Sequence, residues 1–123
     1  MDSLLSFYEH HGMRVVPLAG EFDRCNSERL REFIAAANDG SRPVVIDLSE
    51  ATYIDTSILS ILILAKNLLG SQLCLIVPER ANLRRLFEVT GLDVVLGTKR
   101  SLEDARLALT CQCGRPNAVG RAG

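Results

Sequence analysis

The stretch ATYIDTSILSILILAKNLLG, residues 51–70, decides the fold. Asp55, Thr56 and Ser57 stand directly before an aliphatic run that reaches Leu69 and is closed by Gly70. Side chains of these three types accept hydrogen bonds from the N–H groups that the first turn of a helix leaves without partners. The segment from Ile54 to Leu69 therefore reads as a strand-to-helix turn and its helix, one of the three residues serving as N-cap. The run falls short of the roughly 20 apolar residues that a membrane-spanning helix needs.

On either side lie short continuous apolar runs. PVVIDL, residues 43–48, and QLCLIVP, residues 72–78, are rich in branched residues, as expected of strands buried on both faces. Further out, NSERLREFIAAAND carries Leu30, Phe33, Ile34 and Ala37 at helical spacing, with Asn26 or Ser27 as N-cap and Gly40 as the stop. Residues 4–9 and 13–19 are extended runs separated by His10, His11 and Gly12, which reads as a hairpin, and GEFDRC follows as a turn. RANLRRLFEVTGL reads as a helix capped by Gly91, DVVLG as a last short strand, and SLEDARLAL as a helix begun by Ser101. Strands alternating with helices after a hairpin predict an α/β domain: one mixed sheet with parallel strands joined by crossovers, and about four helices. The domain is expected over residues 1–110, with 111–123, short of apolar anchors, as a flexible tail.

Composition narrows the function. A chain of 123 residues with 47% hydrophobic content can bury a core without metal or disulfide staples. Fourteen basic residues against fifteen acidic ones leave no electrostatic footprint for nucleic acid or an anionic membrane. The start MDSLLSFYEHHG has neither the basic nor the apolar region of a secretory signal, so a cytoplasmic protein with reduced thiols is expected. There is no G-x-S-x-G elbow, no glycine-rich phosphate loop and no ligand-spaced His/Cys set, which argues against catalysis, a cofactor or a metal site. His10 and His11 read as solvated turn residues. Cys74 reads as a core hydrophobe in its strand, while Cys111 and Cys113 on the tail permit a redox clasp with each other, Cys25 or Cys74.

The helical wheel of the central segment is informative at about 100° per residue. Ser57, Ser60, Leu64 and Asn67 share one arc, bordered by Ile61 and Leu68, while Ile58, Leu59, Leu62, Ile63 and Leu69 face elsewhere. An apolar Leu64 among small polar side chains reads equally as a partner-docking arc or as a face covered by neighbouring helices. A hydroxyl in the first helical turn is open to a kinase, and a phosphate on Ser57 would add about −1.5 to −2 charges in the middle of that arc.

Three stretches together resemble the STAS family, in particular the bacterial anti-sigma factor antagonists (anti-anti-sigma factors). They are LAGEFD at 18–23, VVIDLSEATYIDTSILSIL at 44–62 and LRRLFEVTGLDVVLGTKRSLEDARLAL at 83–109. The resemblance implies a partner switch that binds an anti-sigma factor with kinase activity, frees a sigma factor and is turned off by phosphorylation. It places the modified residue on Ser57, with Thr56 the second choice, and Asp23 near the modified turn; Asp23 reads equally as a turn former or the cap of the next helix. The implied docking face comprises Asp23, Asp55, Thr56, Ser57, Ser60, Ile61 and Leu64. The family usually has Gly where this chain has Ile58, and a β-branched side chain there is expected to crowd a partner's backbone. The alternative is an accessory STAS module of a transport or signalling assembly, not phosphorylated and controlled through the cysteines.

Overall fold

A computed structural model of the chain describes residues 6–38, 40–78 and 83–113. The hairpin is present: β1 (Tyr8–His10) pairs antiparallel with β2 (Met13–Pro17), Tyr8 opposite Val15 and His10 opposite Met13. Its two-residue loop has φ 51° at His11 and 81° at Gly12, the left-handed pair whose twist matches the flanking strands. β2 then pairs parallel with β4 (Val44–Asp47), and β4 with β6 (Leu73–Ile76), giving the order β1-β2-β4-β6. The two expected buried strands are β4 and β6.

Alternation along these strands divides the interior. Val16, Val44, Ile46, Leu73 and Leu75 face α1 (Arg24–Ala37) and α2 (Thr56–Leu69). Met13, Val15, Val45, Cys74 and Ile76 face Ala105 and Leu109 of α5 (Leu102–Cys113). With helices on both faces, the central strands have no solvent side, which is why they read as unbroken apolar runs. Arg14, on the α1/α2 face, donates to the Ala37 carbonyl at 3.0 Å and lies 5.1 Å from the Phe7 ring centroid. Its charge thus meets the negative end of α1.

Four expectations need correction. GEFDRC is not only a turn: Gly20–Phe22 form β3, which pairs parallel with β5 (Ala51–Ile54) in a small second sheet. The N-cap of α1 is Asp23 rather than Asn26 or Ser27. Asn26 is the third helical residue and closes a capping box by accepting from the Asp23 N–H at 2.8 Å. DVVLG is not a strand. Gly91, at φ 76°, ends α3 (Arg84–Thr90) and opens a helical turn, α4 (Leu92–Val95), whose Val94 and Val95 N–H groups both reach the Gly91 carbonyl. Val94 and Val95 are exposed, so their β preference meets no sheet to pack on, and beyond them Lys99 forms a strand-like bridge to Ile76. Finally, α5 carries on through Cys111 to Cys113, past the expected boundary at Thr110; residues 114–123 of the expected tail lie outside the described ones.

Cys74 is 4% exposed, and burial pushes its thiol above the ordinary value, against the opposing pull of Lys99 and Lys66. Cys25 is exposed. In a Cys111→Ser/Cys113→Ser background, a thiol reagent near neutral pH is expected to label Cys25 at once and Cys74 only as the protein unfolds. Equal rates in the native state would show that Cys74 is open to solvent.

Candidate functional site

The β3–β5 pair sets the site. Phe22 lies opposite Ile54, and the Asp55 N–H donates to the Phe22 carbonyl at 3.2 Å, so Asp23 and Asp55 leave the small sheet side by side. Both have extended backbones and both cap the helix that follows. Asp23 accepts from the Cys25 N–H at 2.9 Å. Asp55 does more: one carboxylate oxygen accepts from the Ser57 and Ile58 N–H groups at 3.0 and 3.3 Å, and the other accepts from the Arg24 N–H of α1 at 3.1 Å. A single carboxylate therefore ties the starts of two helices together.

This changes the roles of the sequence-derived residues. Asp23 and Asp55 are engaged with helix amides and shape the turn. Thr56 and Ser60 are exposed, and the Ser60 hydroxyl is tied to the Thr56 carbonyl at 2.9 Å. Ser57 is half-buried; its N–H is held by Asp55, and among the described residues its hydroxyl has no hydrogen-bond partner. The N–H groups of Ser57 and Ile58, which a phosphate at this position would otherwise find, are already taken by Asp55. Ile58 points the other way. It is fully buried in the main core with Leu62 one turn on, so the β-branched side chain expected to crowd the surface is turned inward instead.

The outer arc of α2 opens onto a groove. Ile61, Leu64 and Leu68 follow Ser57 at helical spacing and, with Ala65, form one wall; Arg31 and Ala35 of α1 and Asn38, which caps its end, form the other, around a cavity of about 240 Å³. Leu64 is 48% and Leu68 76% exposed. Sequence reasoning placed Leu64 outward but missed the α1 wall. The signal available was the run Ala35–Ala36–Ala37, whose small side chains leave room beside a neighbouring helix. Among the described residues there is no grouping of three or more His, Cys, Asp or Glu that could hold a metal ion, and no helix long and apolar enough to cross a membrane.

Residues 7–98 match the family model described as Mlab, STAS domain. The chain belongs to the STAS domain family. Among solved structures, this STAS domain is similar to an anti-sigma factor antagonist from Mycobacterium paratuberculosis, with 30% identity and a TM-score of 0.76 over 88% of this chain and 94% of that one. It shares its fold with the Bacillus cell fate determinant SpoIIAA in its phosphorylated form, at 18% identity and a TM-score of 0.58 over 83% and 96% of the two chains. A 55-residue stretch is 36% identical to Osmosensory protein A of Mycobacterium tuberculosis, covering 45% of this chain and 35% of that protein. The match thus spans about a third of that relative's length.

Replacing Ile58 by the glycine usual in the family should not open the site. Ile58→Gly removes a buried side chain and puts glycine in a first helical turn, an expected loss of about 3 kcal/mol or more in urea unfolding. Asp55→Ala, which strips the Ser57 and Arg24 N–H groups of their acceptor and leaves the Ile58 N–H only the Asp55 backbone carbonyl, should cost about 1–2 kcal/mol in the same measurement. A neutral result for Ile58→Gly would contradict the inward orientation of Ile58.

Proposed function

We propose that this STAS domain is an anti-sigma factor antagonist that works in the cytoplasm by association rather than catalysis. It binds an anti-sigma factor with kinase activity, thereby freeing a sigma factor, and phosphorylation of Ser57 turns the binding off; Thr56 is the second candidate. The observation that carries this reading is the Ser57 hydroxyl, unpartnered among the described residues, on the stripe that continues through Ile61, Leu64 and Leu68. The docking face comprises the Asp55 to Ser57 turn, Ser60, Ile61 and Leu64, and the Asp23 turn beside it. The 30% identical antagonist structure supports the same reading.

The physics of the switch follows from the caps. A phosphate on Ser57 adds about −1.5 to −2 charges. Because Asp55 holds the nearby N–H groups, that charge is not absorbed into the helix start and stays on the surface, beside two carboxylates. Seating a partner over it would bury an uncompensated anion, at a cost of several kcal/mol.

The test is to incubate the purified protein with ATP and each kinase-type anti-sigma factor of its host, locate added phosphate by mass spectrometry, and measure binding of Ser57→Ala and Ser57→Asp. Phosphate on Ser57 is expected, with Ser57→Ala binding as wild type and Ser57→Asp weakened on the order of tenfold or more. Equal affinities for the two variants would remove Ser57 from the mechanism. Binding without any phosphate would point to the accessory STAS module instead.

A further inference from the structure

The helices that flank the groove run in the same direction. Their starts are joined through Asp55, and further along Asn38 of α1 shares the groove with Leu69 of α2. One end of the groove is therefore the end of two helix N-termini and of Ser57. At that end Arg24, the first residue of α1, is exposed; its N–H binds Asp55, while its guanidinium has no partner among the described residues. Arg31, halfway along, is paired with Glu28. Toward the far end stand the uncharged Asn38 and Asn67, and Lys66, whose ammonium donates to the Leu73 carbonyl at 2.8 Å. The groove is thus lined mostly by apolar side chains, with the Arg31–Glu28 pair midway, and the cation of Arg24 belongs to the end where the Arg24 and Ser57 N–H groups share the Asp55 carboxylate. Of the acids around that cation, Asp23 and Asp55 are held by backbone amides and Glu28, one turn further along α1, is paired with Arg31.

We propose that the groove seats an amphipathic helix of the anti-sigma factor, its apolar side chains against Ala35, Leu64 and Leu68 and a carboxylate at one end on Arg24. This rests on the reading of Ser57 as the switch. Helix-in-groove docking uses apolar anchors at i, i+4 and i+7, the spacing that matches two parallel helical walls. An arginine paired with a carboxylate fixes the register of such a helix along an otherwise featureless groove. A phosphate on Ser57 then acts twice: it competes with the partner's carboxylate for Arg24 and repels it.

The probe is a synthetic helical peptide with leucines at i, i+4 and i+7 and glutamates in its first turn, titrated into the isotope-labelled full chain and followed by amide NMR shifts. Shifts are expected along Arg24, Arg31, Ala35, Leu64 and Leu68. Exchanging the glutamates for glutamines should weaken binding on the order of tenfold. Arg24→Ala should do the same and add nothing when combined with the glutamine peptide. Ala35→Glu, a change at an exposed position that puts a charge on the apolar wall, should abolish binding. Ser57→Asp should weaken the glutamate peptide and leave the glutamine peptide unchanged. Equal affinities for the two peptides, shifts elsewhere or none, displacement by decanoate with no preference for the glutamate peptide, or shifts that track protein concentration alone and so report a second copy, would each overturn the proposal. The switch is read separately: an anti-sigma factor that discriminates Ser57→Asp from Ser57→Ala but binds Arg24→Ala and Ala35→Glu as wild type leaves the switch in place and removes the groove.

Discussion

The Asp55 carboxylate is the contact on which the proposed docking face depends. A helix start leaves its first N–H groups without partners, and two starts side by side double the requirement. Asp55 meets part of both, accepting from Ser57 and Ile58 of its own helix and from Arg24 of the neighbouring one. The β3–β5 pairing fixes where this happens, because Phe22 and Ile54 are register partners immediately before the two caps. The two helices consequently begin together and run alongside each other. The groove between them is a consequence of that start, since small side chains on α1 leave space opposite the leucines of α2.

The turn separates two tasks on consecutive residues. At about 100° per residue, neighbours on a helix point in different directions. Ser57, half-buried, lies at helical spacing from the groove residues Ile61 and Leu64, whereas Ile58 enters the main core above the sheet with Leu62. Anchoring and display thus come from the same turn. An isoleucine in place of the family's glycine strengthens the anchor without occupying the displayed side. The consequence is a rigid platform for whatever approaches Ser57, because moving the turn would expose a fully buried side chain.

How much of this was legible in the sequence depended on apolar continuity more than on element length, since β4, β5 and β6 all have four residues. VVID and LCLI announced themselves because strands buried on both faces need continuous apolar residues. The helix after Asp55 was clear from its cap residues and long apolar run. β3 and β5, with three and four residues, are too short for a period-two signal, and exposed Thr52 and Tyr53 break the apolar run in β5. Val94 and Val95 misled because residue preference was read without the backbone that Gly91 imposes. The same reasons govern the site. Ser57, Ser60 and Leu64 were readable from one helix wheel, but the α1 wall is defined only by the neighbour it faces, and no periodicity within α1 distinguishes Arg31 and Ala35 from any solvated face.

The engagement of the caps also bears on what kind of switch the proposed phosphorylation would be. A phosphate at a helix start is often stabilised by free N–H groups and the helix dipole, which orders the segment. Here the Ser57 and Ile58 N–H groups are occupied, and so is that of Arg24. For the phosphate to gain those donors it would have to displace Asp55, which would also release the α1 contact and expose the Asp55 charge to a second anion nearby. That exchange offers no clear gain in hydrogen bonds and adds repulsion. The lower-energy arrangement keeps Asp55 in place and leaves the phosphate on the surface, at the end of the groove where α1 begins with Arg24. Under this reading the fold is the same in both states. The modification acts through the charge and solvation of one end of a fixed groove, so its effect depends on the partner's charge at that end rather than on rearrangement of the domain.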